Sequence, residues 1–291
     1  MRMIRTRSEM ERLSKTIKAA GKTIGFVPTM GFLHEGHMSL VRAARQENDV
    51  CVVSIFVNPT QFGPSEDFDS YPRDFQKDKK MLAEEKVDVV FCPTVKEMYP
   101  NVTLSQTPPD IIPPKNLTAC LCGAFRPTHF QGVAQVVDIF FHRVKPDRAY
   151  FGQKDFQQTV IIKWLARKAH LNIDIRVLPT IRESDGLAMS SRNVYLKPKE
   201  RKRVIILFQA LQLAKELYEN GERNPQRIER KISNLISQNF LTSRNQEMKL
   251  QYAEIRDAET LQSIHEIKHP AVVAVAAIIG KTRLIDNIVL G

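Results

Sequence analysis

The sequence of 291 residues has only four cysteines and no apolar run long enough to cross a bilayer. Four cysteines in a chain this long make no disulfide framework. Cys120 and Cys122 stand two apart, and Cys51 and Cys92 lie in apolar runs where a thiol behaves as a small hydrophobe. A reducing cytoplasm is the natural compartment. The longest apolar stretch, Ala271–Ile279, is about half of what a membrane helix needs, so no membrane partner is expected. The opening MRMIRTRSEMERLSK is basic but has no apolar core, and it is not read as a secretory signal. There is no repeat and no low-complexity tract, and the absence of a Walker A string excludes a P-loop. What is present is ordinary: 43% apolar and 26% charged residues mark a globular chain rather than a disordered or collagen-like one.

Charge is the one bias. Lys and Arg number 43 against 32 Asp and Glu, giving 43 − 32 = +11. Clustered cations suit nucleic acid, but the same field attracts small anionic substrates. The densest run, Lys197 to Arg203, opens a helical pattern and reads as a solvated face, so no nucleic-acid partner is expected.

The length suggests two domains or one large one. Up to about Pro179, short β-branched or aromatic runs (Thr23–Val27, Val50–Val57, Val87–Cys92, Arg148–Phe151, Ile173–Leu178) alternate with longer stretches of helical spacing. Those stretches are Ser39–Gln46, Asp74–Lys86, Val133–Val144 and Phe156–His170. Such alternation predicts an α/β fold, a mainly parallel sheet with helices on both faces. Ligands then bind beyond the carboxyl ends of the strands. The remainder differs: two amphipathic helical patterns, Lys199–Asn220 and Pro225–Gln238, precede three strand-like runs, Leu250–Asp257, Ala271–Ile279 and Thr282–Val289. The expected division is a first domain over 1–179 and a smaller α+β domain over 180–291. Pro108–Pro114 reads as a surface connection.

Three constellations fall where strand ends are expected. Pro28-Thr29-Met30-Gly31-Phe32-Leu33-His34-Glu35-Gly36-His37 follows the first strand and precedes a helix, so its amides can face an anion at a helix N-terminus. Gly31 and Gly36 allow close approach or positive φ. Two imidazoles three residues apart suit charge building on a phosphate. Spacing weighs against a zinc reading, because a metalloprotease helix needs His-Glu-x-x-His and no third ligand is evident. Val57-Asn58-Pro59-Thr60-Gln61-Phe62-Gly63 ends the second strand and offers Asn58 and Gln61 to hydroxyl and carboxylate groups. The third is a pair: Phe151-Gly152-Gln153-Lys154-Asp155-Phe156-Gln157-Gln158, and Met189-Ser190-Ser191-Arg192-Asn193. Lys154 supplies a point charge and Arg192 a planar fork for phosphate oxygens.

Together these strings resemble one family. The His-x-Gly-His turn with a downstream Met-Ser-Ser-Arg loop is similar to the nucleotidyltransferase superfamily related to class I aminoacyl-tRNA synthetases. Within it, PTMGFLHEGH, FVNPTQF, FGQKDFQQ and DGLAMSSRN resemble the pantoate–β-alanine ligase family, in that family's order from residue 28 to residue 193. FRPTHFQGV stands where the family reads FRPGHFRGV, so Thr128 and Gln131 replace Gly and Arg. Gln153 and Ile181 stand where Glu and Val are expected.

The resemblance implies a Rossmann-like domain with a lid-like C-terminal domain, a homodimer, and a two-step reaction. ATP and pantoate would give pantoyl adenylate and pyrophosphate, and the amine of β-alanine would then give pantothenate and AMP. By position, Met30, Gly31, Phe32, Leu33, His34, Glu35, Gly36 and His37 would bind ATP, with the two histidines at the phosphates. A protonated His37 is expected to stabilise charge there. Gly152, Gln153, Lys154, Asp155, Ile181, Met189, Ser190, Ser191 and Arg192 would complete the ATP site, Lys154 and Arg192 neutralising the triphosphate. Gln61 and Gln158 would hold pantoate, Gln61 also lying near β-alanine. Mg²⁺ would travel on the ATP phosphates with few protein ligands. Two rivals differ in chemistry: a transferase that keeps the nucleotide in its product and needs no amine, and an RNA-binding relative of the synthetases.

Overall fold

In a computed structural model the described residues are 1–64, 66–100, 111–241 and 248–291. The first three residues of the Pro108–Pro114 connection therefore lie outside them. In chain order the elements are β1 (Arg2–Ile4), α1 (Arg7–Ala19), β2 (Ile24–Thr29), α2 (Glu35–Glu47), β3 (Val50–Ile55), α3 (Phe75–Glu84), β4 (Val89–Phe91) and α4 (Val95–Met98). Then come α5 (Lys115–Thr118), α6 (Leu121–Phe125), α7 (His129–Val144), β5 (Arg148–Gly152), α8 (Phe156–Lys168) and β6 (Asp174–Leu178). The last are α9 (Pro198–Arg203), α10 (Ile205–Glu219), α11 (Pro225–Leu241), β7 (Met248–Asp257), β8 (Ala271–Ile279) and β9 (Thr282–Leu290). Among the described residues no helix is long and apolar enough to cross a membrane.

The chain divides into two compact units. The first comprises Met1–Pro114, Arg126–Gln153 and Gln158–Pro179. Its six-stranded sheet runs β1-β4-β3-β2-β5-β6, and every described pairing is parallel. Parallel strands need crossovers, and the helices between them cover both faces. Alternation along β2 shows how. Val27 joins Met38 and Val41 of α2 and Leu82 of α3 in one buried cluster, whereas Phe26 points the other way and meets Phe140 of α7 edge-on at 5.5 Å. Helix α1 packs on α7. The expected α/β fold is present, and β1 and α1 precede the first expected strand. Three residues of β1 are too few for any period to show.

The second unit comprises Lys115–Phe125, Lys154–Gln157 and Thr180–Gly291. Its sheet is an antiparallel meander, β7-β8-β9. Helices α10 and α11 bury Leu207, Leu211, Ile228 and Ile232 against Val273, Val275 and Ala277 of β8. The alternate residues of β8, Val272, Ala274 and Ala276, are buried as well, which is why the run Ala271–Ile279 is unbroken in its apolar character. Tyr252, paired with Ala276 on that second face, stacks on Phe125 at 5.9 Å. The helical pattern Lys199–Asn220 is two helices, broken at Val204. The basic run is not a bare face either: Arg201 is ion-paired with Glu183 and Asp185, and Arg203 donates to the Asn239 carbonyl.

Candidate active site

Chain order sets where a ligand can enter the first unit. From β2 the sheet grows to β3 and β4 on one side, while β5 and β6 lie on the other. The order reverses between β2 and β5, and the crevice of such sheets opens beyond the carboxyl ends at that point. Met30–His37 leaves β2 there, and Gly152 and Gln153 end and follow β5.

Backbone geometry shapes the first turn. Gly31 has φ +80° and Phe32 φ +50°, so the chain reverses sharply. The carboxylate of Asp78, on α3 and 1% exposed, accepts from the Phe32 amide at 2.8 Å and the Leu33 amide at 2.7 Å. Burial pushes the Asp78 carboxyl above its ordinary value, and the two amides oppose that rise. A Cβ on Gly31 would stand 3.0 Å from Asp78 Oδ2 and 3.1 Å from Ile55 Cγ2, a tight fit, and the φ itself is one that favours glycine. Gly36, by contrast, sits in the first turn of α2 and takes no positive φ.

His34 is the N-cap of α2 and His37 its third residue. The His34 amide donates to His37 Nδ1 at 3.3 Å, and the two rings lie 4.1 Å apart. An accepting Nδ1 needs its lone pair, so a neutral His37 ring carries its proton on Nε2. Both rings share the N-terminus of α2, where anions are already favoured. Glu35 is turned elsewhere, paired with Arg42, so its backbone amide is what it offers an anion.

Gln61 is held on three sides within the same unit. Its side-chain Oε1 accepts from Asn58 Nδ2 at 3.0 Å. Its carbonyl accepts from Arg126 at 3.1 Å and lies 2.9 Å from His129 Nδ1. Arg126 in turn grips Glu66 through two nitrogens, at 2.7 and 2.5 Å. Burial would raise the Glu66 carboxyl, but that guanidinium holds it below the ordinary carboxylate range. Asn58, expected as a ligand group, is 1% exposed and fully engaged: it also donates to the Gly132 carbonyl and accepts from Tyr99 Oη at 2.8 Å. Burial pushes the Tyr99 hydroxyl up to about 12, so it stays a donor. Asn58 therefore orients Gln61 through its Oε1, a bond that does not use the Gln61 Nε2. Gly132 permits this closeness, since a Cβ there would stand 2.2 Å from the Thr60 carbonyl oxygen. Thr128, where the family has glycine, takes an ordinary φ of −98° as the residue before α7 and is unstrained. Gln158, in the first turn of α8, is half-buried.

In the second unit the remaining residues form their own set. Lys154 Nζ lies 3.1 Å from Asp155 Oδ1. Ile181 accepts from the Met189 amide at 3.0 Å, and Arg182 bridges Ala188, so Met189–Arg192 leaves a small hairpin. Ser190 Oγ accepts from the Arg192 amide, and Ser191 is buried. Asn193 ties the loop back by donating to Glu183 at 2.7 Å and to the Ala188 carbonyl at 3.1 Å.

A family model described as pantoate-beta-alanine ligase matches residues 2–289. The chain belongs to the pantoate–β-alanine ligase family. It is 51% identical to the pantothenate synthetase of Thermotoga neapolitana, with the whole of both chains covered. The pantothenate synthetase of Caldicellulosiruptor saccharolyticus is 49% identical, over 97% of this chain and 96% of its own. The crystal structure of pantothenate synthetase from Thermus thermophilus matches with TM-score 0.87 at 40% identity, covering 99% of each chain. The pantoate–β-alanine ligase of Francisella tularensis, complexed with beta-gamma ATP and β-alanine, matches with TM-score 0.79 at 34% identity, over 99% and 97%. The resemblance carried by four short strings is thus a full-length membership, and the enzyme class is that of a ligase.

Asp78, Arg126, His129 and Asn287 were not singled out from sequence. Asp78 sits in Gln76-Lys77-Asp78-Lys79-Lys80, which looks like any solvated charge run. Asp286 and Asn287 did carry a signal, because two polar residues interrupt the apolar strand Leu284–Leu290 and buried polar groups are there for a reason.

Proposed function

We propose that the chain condenses pantoate with β-alanine at the expense of ATP, through a pantoyl adenylate, releasing pyrophosphate and then AMP. A pantoate carboxylate oxygen attacks the α-phosphorus, and the bond to the β-phosphate breaks with its electron pair leaving on pyrophosphate. The β-alanine nitrogen then attacks the acyl carbon, the acyl–oxygen bond breaks, and AMP departs. A carboxylate is a poor acyl donor, and adenylation makes it attackable without a Ser or Cys nucleophile. The observation that supports this most is the full-length match to pantoate–β-alanine ligases, one of them complexed with beta-gamma ATP and β-alanine.

In this reading Met30, Gly31, Phe32 and Leu33 line the nucleotide, while the amides of Glu35 and Gly36 and the imidazoles of His34 and His37 receive the ATP phosphates. Lys154 and Arg192 offset triphosphate charge, with Gly152, Gln153, Asp155, Ile181, Met189, Ser190 and Ser191 completing the nucleotide contacts. Gln61 offers its Nε2 to the pantoate carboxylate or hydroxyl, and Gln158 does the same from α8. Gln61 also meets β-alanine.

Mg²⁺ is assigned to the ATP phosphates. Among the described residues no group of three His, Cys, Asp or Glu side chains is placed to hold a metal ion. The enzyme is taken to act as a cytoplasmic homodimer without nucleic-acid or membrane partners, and light scattering tests the dimer. The reaction is tested by mass spectrometry of products with ATP, pantoate and β-alanine withheld in turn. Pantothenate and AMP should form only with all three. A nucleotide-containing end product, or turnover without the amine, would overturn the reading.

A further inference from the structure

Asp286 and Asn287 are neighbours on β9, so their side chains leave opposite faces of the small sheet. Asp286 is paired with Val275 on the face that packs against α10 and α11, and it is 4% exposed. There it takes both arms of the Arg182 guanidinium, at 2.6 and 3.0 Å, while that guanidinium stacks 4.6 Å from the Phe208 ring. Asn287, paired with Ala274, is 3% exposed on the other face, and its Nδ2 donates to the Lys154 carbonyl at 2.9 Å. The Asn287 backbone N–H also donates to Asp286 Oδ1 at 2.8 Å, tying that carboxylate to the strand backbone at Asn287. Arg182 closes the chain of contacts from the other end. Its backbone bridges Ala188 at the base of the Met189–Arg192 loop, and its Nη1 donates to the Gly186 carbonyl at 3.0 Å. A second tie holds the same short segment: Gln157 Nε2 donates to the Leu117 and Cys120 carbonyls at 2.8 and 2.9 Å.

We propose that Asn287 is a positioning residue for Lys154, and that the Arg182–Asp286 pair makes Asn287, Lys154 and the Met189–Arg192 loop one rigid set for receiving the ATP phosphates. The proposal rests on the reading that Lys154 meets ATP. Lysine is a flexible point charge, so its value at a phosphate depends on where its backbone is held. A carbonyl fixed by a buried side-chain amide supplies that hold, and the same side chain touches no substrate in the proposal.

The test is a double-mutant cycle in the full-length protein, read by ATP and pantoate titration calorimetry and by hydrogen exchange of residues 154–157 without ligand. Asn287→Ala should weaken ATP binding by about fivefold, the scale of one lost hydrogen bond, with pantoate affinity changed less than about twofold. Exchange at 154–157 should quicken by roughly tenfold, corresponding to the loss of one local restraint. In a Lys154→Ala background the same substitution should add less than about twofold, because the group it positions is gone. Asn287→Thr, closer in volume and suited to a strand but with a donor too short to reach, carries the comparison if the alanine variant does not fold. Unchanged exchange, or an equal ATP loss with and without Lys154, would overturn the proposal. Normal ATP affinity in Lys154→Ala alone would instead overturn the underlying reading of Lys154.

Discussion

At Met30–His37 the chain shapes itself almost locally. Gly31 and Phe32 reverse it, α2 starts within a few residues, and one histidine amide caps the other imidazole. From farther along the chain Asp78 takes two amides of the turn and Lys77 lies over the Phe32 ring at 5.3 Å. Around Lys154 and Met189–Arg192 the balance is the opposite. Asn287 reaches Lys154 and Asp286 reaches Arg182 across more than a hundred residues, so long-range pairs fix what local sequence leaves open. A helix N-terminus is a ready-made anion site that a short motif can specify, whereas a loop-borne lysine must be placed by the tertiary structure.

The sharpest way to break this contrast is at His37. His37→Ala should slow adenylation by roughly 10²–10³, the scale for one donor to developing charge, with the fold retained because the turn is also held by Gly31 and Asp78. Rapid-quench kinetics with a melting curve check both parts. Normal turnover, or an unfolded variant, would contradict the assigned role.

A smaller effect separates the substrates. Gln158→Ala should weaken pantoate by about 5-fold to 150-fold, equivalent to about 1–3 kcal/mol, and ATP by less than about threefold. Lys154→Ala should invert that preference. Calorimetry of both variants with both ligands decides, and equal losses throughout would mean that these residues support shape rather than divide recognition.

The smallest effect is in acid. Glu66 is held below its ordinary value of 4.5 by Arg126, so its contribution to stability is complete above that value and is lost as pH falls through the lowered one. Glu66→Gln should therefore flatten the acid limb of the stability curve and leave the neutral region little changed relative to its own plateau. Denaturation midpoints from pH 7 to pH 2 measure it. An acid limb as steep as that of the parent protein would remove Glu66 from the account.

The same contrast explains what could be read before the structure. Strand and helix alternation in the first unit is written in two clean periods, and β2, β3 and β5 fall where apolar runs are bounded by Gly, Pro, Asn or Asp. The strings around His34, Gln61, Lys154 and Arg192 were legible because their residue types match phosphate and carboxylate chemistry. Asn58 was legible as polar but not as engaged, since its partners Tyr99 and Gly132 come from distant segments. Nothing local in Lys115–Phe125 announces that Phe125 will stack on Tyr252, and nothing in Lys154 announces Asn287. The unbroken apolar run of β8 was the one hint that both faces of the small sheet would be covered.

The central claim is that the carboxylate is activated before the amine arrives. Quench-flow under single-turnover conditions, with enzyme in excess over labelled ATP, tests it directly. With pantoate present and β-alanine withheld, pyrophosphate should appear in one rapid phase, and neither ligand alone should release it. No pyrophosphate until β-alanine is added would contradict the two-step account.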